Sequence, residues 1–445
     1  MSNASGYSLP NPIFHEPTFS EGQVTPDPKG FLEPHPSDAA LYKEVDKLLT
    51  KQVTVFPKSR MAPDALLSLA DVYGDRGADV TAAITTAGRI VFHAIGDSGA
   101  SSSKHLAGEL SVADQLTLDC NVTEPANRPS FLMHLGDVVY DFGEAKYYYD
   151  QFYEPFRNYP APILAIPGNH DSFVVPGTPA QQTPLDIFMR NFCAESPTIT
   201  VDAGALHRTA MTQPGVYFAF DAPFLRMLCL FSNALEDPGA ISSQDGAWPT
   251  LPDFQLDFIE AQLQKVRDDK YAGALLLAVH HPPFAYQTPD GIAKGSHASS
   301  IEMLAQIDTI CSKVGVYPHA FLSGHAHNYQ RYTRMVSMGG ASYQVPFIIC
   351  GDGGHNVNLL VEQRKNAPGD PGFGIDVGYM DSEPQVDAQG LQLVKYNDTG
   401  YGYLRIDASA DKLGIGFHLV GQASIAQSRF DKVTINLATH QLIAN

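Results

Sequence analysis

Short apolar runs rich in β-branched residues alternate along the chain with stretches of helical periodicity. Apolar runs of strand length occur at 89–95, 131–135, 162–166, 216–220, 225–231, 274–279, 320–322 and 345–350. Stretches that predict helices cover 37–49, 63–72, 111–119, 144–156, 185–192 and 252–267. Buried strands that alternate with helices predict an α/β layered fold, because a strand that is apolar throughout needs a layer on each face.

The two ends of the chain differ from this central pattern. Residues 1–30 are rich in Pro, Gly and Ser and show no periodicity. We therefore expect residues 1–85 to form an amino-terminal arm with a short helical segment, and residues 86–445 to form the main domain. Near the carboxyl terminus, segments 401–406, 413–419 and 432–437 alternate in polarity and are expected to complete a β-sandwich.

Two long segments show no periodicity inside the main domain, at 172–214, apart from its one predicted helix, and at 363–390. Loops of this length are usually functional lids or specificity elements. We expect both to border the functional site.

Five polar blocks follow the apolar runs in order. They are Gly96-Asp97-Ser98-Gly99, Gly136-Asp137-Val138-Val139-Tyr140, Gly168-Asn169-His170-Asp171, Val279-His280-His281-Pro282-Pro283 and Gly324-His325-Ala326-His327. Their side chains offer oxygen and imidazole ligands suited to iron, manganese or zinc, with no thiolate. Taken alone, an Asp after Gly is a common turn residue, and His280 could be a buried core histidine. The ordered set at strand ends instead favours one shared site for two metal ions.

Charge and cysteine content narrow the class of protein further. The formal net charge of -19 argues against nucleic acid or an anionic membrane as a partner. The five cysteines are widely spaced and form no C-x-x-C pair. This favours buried unpaired thiols over a disulfide framework or a zinc cluster, with a single disulfide as the remaining alternative.

The first residues lack the basic and apolar regions of a Sec signal, and no apolar run reaches the length of a membrane span. We expect a soluble protein without a membrane span, cytoplasmic as the sequence is written. A periplasmic or secreted location is the alternative if the sequence is trimmed or export is non-classical.

The ordered blocks resemble those of the calcineurin-like metallophosphoesterases, and the resemblance is greatest to the purple acid phosphatases. Gly99 stands where other branches place a ligand histidine, and Tyr140 ends the second block. The stretch 324–331 and the Gly-Asp-Gly-Gly sequence at 351–354 are also similar to that branch. Two features differ: residues 1–85 do not look like the β-sandwich module of the plant enzymes, and His281-Pro282-Pro283 is closer to the phosphodiesterase branch.

The resemblance implies a four-layer α/β/β/α sandwich of two packed mixed sheets, in which 86–445 is the catalytic domain. It also implies Fe(3+) together with a divalent iron, zinc or manganese ion at the strand ends. The implied metal ligands are Asp97, Tyr140 and His327 on the ferric side, Asn169, His280 and His325 on the divalent side, and Asp137 between them. His281 would then either support a metal ligand from outside or be structural.

The resemblance further implies a phosphatase in which a metal-activated water attacks phosphorus in line. His170, oriented by Asp171, would stabilise the transition state. His297, on the loop after His280, is the candidate for protonating the leaving group, and its alternative role is that of an exposed loop residue. A small phosphorylated substrate would need a local positive charge in this acidic protein, and metal ions supply one.

Two other functions remain open at this point. A phosphodiesterase of the same superfamily, acting on nucleotides or phospholipid headgroups, is favoured by His281-Pro282-Pro283. A catalytically degenerate binding protein is the alternative from a different class. The sequence leaves the substrate and the oligomeric state undetermined.

Overall fold

A computed structural model describes residues 16–19, 30–49, 53–173, 183–204, 206–286, 297–360, 391–422 and 424–444. The helices are α1 Asp38–Leu49, α2 Leu69–Tyr73, α3 Gly77–Ala87, α4 Ser103–Asp119, α5 Asp186–Phe192, α6 Phe254–Asp268, α7 Ile301–Val314 and α8 Ile425–Ser428. The strands are β1 Leu66–Ser68, β2 Arg89–Ile95, β3 Leu132–His134, β4 Ile163–Ala165, β5 Phe218–Ala222, β6 Leu225–Leu230, β7 Ala274–Val279, β8 Ala320–Ser323, β9 Tyr329–Met338, β10 Ala341–Cys350, β11 Leu391–Asn397, β12 Gly402–Ser409, β13 Lys412–Leu419, β14 Arg429–Asn436 and β15 Gln441–Ile443.

These strands form two mixed sheets. The larger sheet has the order β1-β5-β6-β7-β8-β10-β9-β11, and the smaller has the order β15-β14-β13-β12-β2-β3-β4. Within the smaller sheet β2, β3 and β4 run parallel, and within the larger one β6, β7, β8 and β10 run parallel. The predicted α/β fold with two mixed sheets is confirmed.

The sheets pack face to face through aromatic side chains. Phe131, next to β3, lies 4.8 Å from Phe220 of β5 between ring centroids. At the other end, Tyr329 of β9 stacks on Phe417 of β13 at 3.9 Å. Beside this stack, Arg331 Nε lies 2.6 Å from Asp431 Oδ2. Burial of these large rings joins the two sheets into one core.

Most predicted strands are present within a few residues of their predicted bounds, but two predicted helices are wrong. The stretch 63–72 holds β1, which pairs with β5, and only then the short helix α2. Ser68 causes this break, because its hydroxyl accepts from Asp71 N at 3.0 Å and caps α2 at its first turn.

The stretch 144–156 forms a 3-10 turn at Ala145–Tyr147 and a π-helical turn at Tyr149–Tyr153. Gln151 in the π turn accepts from Tyr140 N and donates to Tyr140 O, both at 2.7 Å. The widened turn therefore anchors the loop that carries Tyr140, a use often made of π-helical turns.

The boundary predicted at residue 85 stays a prediction, although parts of 1–85 pack with the main domain. Strand β1 forms the edge of the larger sheet. All five cysteines are buried free thiols, as predicted. The segment 363–390 and residues 174–182 lie outside the described residues, so their expected role as loops at the site stays a prediction.

Candidate metal centre

The polar blocks of the sequence meet at one edge of the two packed sheets. Parallel strands present their carboxyl ends at the same edge. The predicted ligands follow those ends: Asp97 after β2, Asp137 and Tyr140 after β3, Asn169 after β4, His280 after β7, and His325 and His327 after β8. The structure brings all of them into one cluster.

One half of the cluster surrounds the phenol oxygen of Tyr140. Tyr140 Oη lies 3.3 Å from Asp97 Oδ1, 3.0 Å from Asp137 Oδ2 and 3.1 Å from His327 Nε2. His327 Nε2 also lies 3.5 Å from Asp97 Oδ1. One phenol proton cannot serve three acceptors, so buried lone pairs face one another here. A bound cation would satisfy them.

The other half of the cluster surrounds the amide oxygen of Asn169. Asn169 Oδ1 lies 3.0 Å from His280 Nε2 and 3.1 Å from His325 Nδ1. Asp137 Oδ2 lies 3.5 Å from His280 Nε2. Donor atoms of Asp137, His280 and His325 all lie within 4.8 Å of one another, as do those of Asp97, Asp137 and His327. Asp137 belongs to both groups, which is the arrangement that a bridging carboxylate requires.

Outer hydrogen bonds fix which ring nitrogen of two histidines faces the cluster. His280 Nδ1 donates to the carbonyl oxygen of Leu135 at 2.8 Å. His327 Nδ1 donates to the side-chain oxygen of Asn356. Each ring therefore turns its Nε2 atom toward the oxygens of the cluster, the position from which it could bind a metal ion. Such outer partners are typical of metal-ligating histidines.

The electrostatics of the cluster also call for bound positive charge. Burial and the carboxylates of Asp137 and Asp97 raise the pKa of Tyr140 well above its usual value. Burial lowers the pKa of His280, but the charge of Asp137 outweighs it and raises the pKa to about 9. Oxygen and imidazole donors around a negative, buried cluster fit a pair of metal ions.

The backbone at the ligands is strained, as is common at functional sites. The φ angles of Asp97, Asp137 and His325 are 60°, 57° and 68°. A Cβ at Gly99 would lie 2.4 Å from the carbonyl oxygen of Val138. No histidine fits at position 99 in this loop, which leaves Tyr140 to fill that side of the cluster.

A sequence comparison now identifies the family. The family model for the calcineurin-like phosphoesterases matches residues 91–329, which is more than half of the chain and contains all five polar blocks. The chain belongs to the calcineurin-like phosphoesterase family. Members of this family are metal-dependent phosphoesterases with a dimetal centre. In this phosphoesterase, the cluster at the strand ends supplies His and Asp side chains that could bind the metal ions.

Two solved structures are similar to the phosphoesterase at low sequence identity. GAP50, described as the anchor in the inner membrane complex of Plasmodium, is 9% identical, with a TM-score of 0.47 over 78% of this chain and 89% of that chain. PhoD is 12% identical, with a TM-score of 0.44 over 80% of this chain and 72% of that chain. No curated protein matches the phosphoesterase significantly.

His281, beside the predicted ligand His280, has both ring nitrogens bonded to protein groups. Its Nδ1 lies 2.7 Å from Ser232 Oγ and its Nε2 lies 2.7 Å from the carbonyl oxygen of Leu235. Burial and the neighbouring His280 lower its pKa to about 3. These bonds leave neither ring nitrogen of His281 free to bind a metal ion, as expected for a residue that is not a ligand.

The predicted pairing of His170 with Asp171 is wrong. His170 Nδ1 donates to the backbone carbonyl of Asp141 at 2.7 Å. The Asp171 carboxylate instead accepts from the backbone N–H of Val138, Val139 and Gly168 at 2.9–3.1 Å. Asp171 follows His170 in sequence but faces the loop backbones, so it binds the ligand loops together.

His297 lies at the cluster beside two acidic residues. Its ring centroid is 4.0 Å from that of His325. Its Nδ1 lies 3.4 Å from Asp237 Oδ2 and 3.7 Å from Glu236 Oε1. The structure therefore places His297 at the edge of the ligand cluster, and its catalytic role stays a prediction.

Several residues at the site were not found by sequence reasoning. Glu236 and Asp237 lie six and seven residues beyond the end of β6, so a rule that considers only the residues directly after a strand does not find them. His355 stacks on Tyr140 at 3.7 Å and directly follows the Gly-Asp-Gly-Gly sequence. Tyr42 comes from α1, where only helical periodicity is visible.

None of the helices in the described part of the phosphoesterase combines the length and apolar character that crossing a bilayer requires.

Proposed function

We propose that this phosphoesterase is an acid phosphatase-like enzyme of the purple acid phosphatase type that hydrolyses small phosphomonoesters. On this proposal the ferric ligands are Asp97, Tyr140 and His327, the ligands of divalent iron, zinc or manganese are Asn169, His280 and His325, and Asp137 bridges the two ions. The expected partner is a small phosphorylated molecule and not a nucleic acid.

The observation that carries the proposal is the convergence on Tyr140 Oη, which lies 3.0–3.3 Å from Asp137, Asp97 and His327. A hard trivalent ion prefers anionic oxygen ligands, and this half supplies a phenol and two carboxylates. The Asn169 half supplies a neutral amide and imidazoles, which suit a divalent ion. The difference between the two halves supports a mixed-valence pair.

When bound, the metal pair supplies a nucleophile from water and positive charge for the phosphoryl oxygens. His170 is held by its Nδ1 hydrogen bond to Asp141, so Nε2 is the atom that can hold a proton toward a phosphoryl oxygen. His297 stands beside Asp237, which favours the protonated ring that a general acid requires. The proton on His297 would go to the leaving alkoxide.

The second candidate function is a phosphodiesterase of the same superfamily, which His281-Pro282-Pro283 favours by its sequence. In the structure His281 bonds only to protein groups among its described contacts. His281 therefore offers the substrate no additional side chain. This favours hydrolysis of monoesters over hydrolysis of diesters.

Rates on mono-nitrophenyl phosphate and bis-nitrophenyl phosphate test the proposal, with the metal content of the same preparation measured in parallel. We expect the monoester to react with the higher kcat/KM. A higher value on the diester would assign the phosphodiesterase function. No turnover of either ester by metal-loaded protein would overturn both and favour a degenerate binding protein.

A further inference from the structure

Tyr42 enters the metal centre from α1, in the segment that the sequence places outside the catalytic domain. It is 5% exposed. Its ring stacks on His170 at 4.0 Å with an interplanar angle of 19°. Phe142 and Phe173 pack on it edge to face at 5.6 and 5.1 Å. These contacts hold the Tyr42 ring in one place against the site.

The Tyr42 hydroxyl links two polar side chains. It accepts from Asn169 Nδ2 at 2.6 Å and donates to Glu236 Oε2 at 3.1 Å. Asn169 Nδ2 also donates to Glu236 Oε2 at 3.2 Å. A carboxylate can only accept, so turning the Asn169 amide over would set its oxygen against Glu236. The two partners therefore fix the amide with Oδ1 toward His280 and His325.

We propose that Tyr42 is a positioning residue that turns the amide oxygen of Asn169 toward the divalent metal and holds the ring of His170 beside the substrate. This inference rests on the proposed dimetal function. It makes α1 a contributor to the catalytic site through Tyr42.

The expected size of the effect follows from the partners that remain. Loss of an outer partner of a metal ligand typically costs about 10–100-fold in metal affinity. In Tyr42→Phe the amide of Asn169 still donates to Glu236, and the phenyl ring can still stack on His170. We therefore expect a loss of about tenfold, the lower end of that range, at the divalent site only.

The test is a calorimetric titration of the chelator-treated full chain with Zn²⁺. We expect two binding steps in the unmodified chain, of which Tyr42→Phe weakens one by about tenfold and leaves the other unchanged. In an Asn169→Ala background, Tyr42→Phe should change the Zn²⁺ affinity of the weakened step by less than about twofold. The reason is that Tyr42 acts through Asn169, so the effects of the two substitutions are not additive. Equal Zn²⁺ affinities for Tyr42→Phe and the unmodified chain, or a full tenfold loss in the Asn169→Ala background, would overturn the proposal.

Tyr147→Phe is the matched control, because the Tyr147 hydroxyl accepts from His35 N and donates to Asp38 at the start of α1. It removes a phenol from the same helix junction without touching the metal cluster. We expect unchanged Zn²⁺ affinity. An equal loss in Tyr147→Phe would show that docking of α1, and not the Tyr42 hydroxyl, sets the affinity.

Tyr42→Leu tests the contact with His170. At full metal loading we expect its kcat on nitrophenyl phosphate to fall below that of Tyr42→Phe, because the stacked ring is lost as well. Equal kcat values would remove that part of the proposal. If the unmodified chain binds Zn²⁺ but hydrolyses no phosphoester, the proposed function fails while the affinity comparison still decides the role of Tyr42.

Discussion

Replacing Asp171 by Asn tests whether this carboxylate is catalytic or structural. One carboxylate oxygen accepts from Val138 N and Val139 N, both at 3.1 Å, and the other accepts from Gly168 N at 2.9 Å. Val138 directly follows Asp137, and Gly168 directly precedes Asn169. Asp171 therefore ties together the two loops that carry these predicted ligands.

The expected loss of stability follows from the donors left unpaired. Asn has the same shape as Asp but keeps only one acceptor oxygen, so its NH₂ group must face at least one backbone N–H. Asp171 is 1% exposed, so water cannot replace the lost acceptor. The new NH₂ group and the backbone N–H that it faces are then two buried donors without partners. At about 1–3 kcal/mol each, they predict that Asp171→Asn lowers the free energy of unfolding by about 2–6 kcal/mol.

Urea denaturation followed by circular dichroism measures this loss. Asp186→Asn is the control, because the same substitution there affects an exposed carboxylate that accepts from Thr183 N at 3.2 Å. We expect the control to change stability by less than about 1 kcal/mol. If Asp171→Asn unfolds like the unmodified chain while kcat collapses, the structural role is refuted and the carboxylate acts in catalysis.

Three further predictions concern the leaving group, pH and iron. His297→Ala should lower kcat by about 100-fold or more for alkyl phosphates and much less for nitrophenyl phosphate, whose leaving group needs no acid; equal losses would remove His297 from this role. Burial lowers the pKa of His319 to about 4, and its Nδ1 accepts from Leu275 N at 2.9 Å, so the folded state disfavours the proton. Stability should therefore fall as pH drops from about 6.5 toward 4, and His319→Asn should reduce the loss between pH 7 and 4.5 by about 2 kcal/mol in urea denaturation. Tyrosinate bound to ferric iron absorbs in the visible, so Tyr140→Phe should abolish the violet colour of the iron-loaded protein, and retention of the same band would show that Tyr140 is not the ligand.

Local sequence order was enough to predict that these polar side chains lie close together. Each predicted ligand follows a buried strand, and parallel strands bring their ends to one edge. Asp97 and His325 are far apart in sequence, yet the order of strands in the sheets places them in contact, with His325 N donating to Asp97 Oδ2 at 2.8 Å. The residues that follow parallel strands can therefore be predicted to converge without knowledge of how the side chains pack.

Contacts between separate segments could not be predicted in this way. The position of Tyr42 depends on how α1 packs against Phe142 and Phe173, and nothing in the periodicity of α1 indicates that surface. The resemblance to the family implied that Asp171 orients His170, its neighbour in sequence. In the structure the short 3-10 turn at His170–Ser172 directs them to different partners.

Elemental analysis of the purified full chain tests the central claim, that the strand ends hold two metal ions bridged by Asp137. We predict two ions per chain, of which one is iron, and a clear loss of metal in Asp137→Asn, because this carboxylate belongs to both groups of donors. A chain that binds no metal after incubation with iron and zinc, or an Asp137→Asn variant with the full complement, would contradict the account.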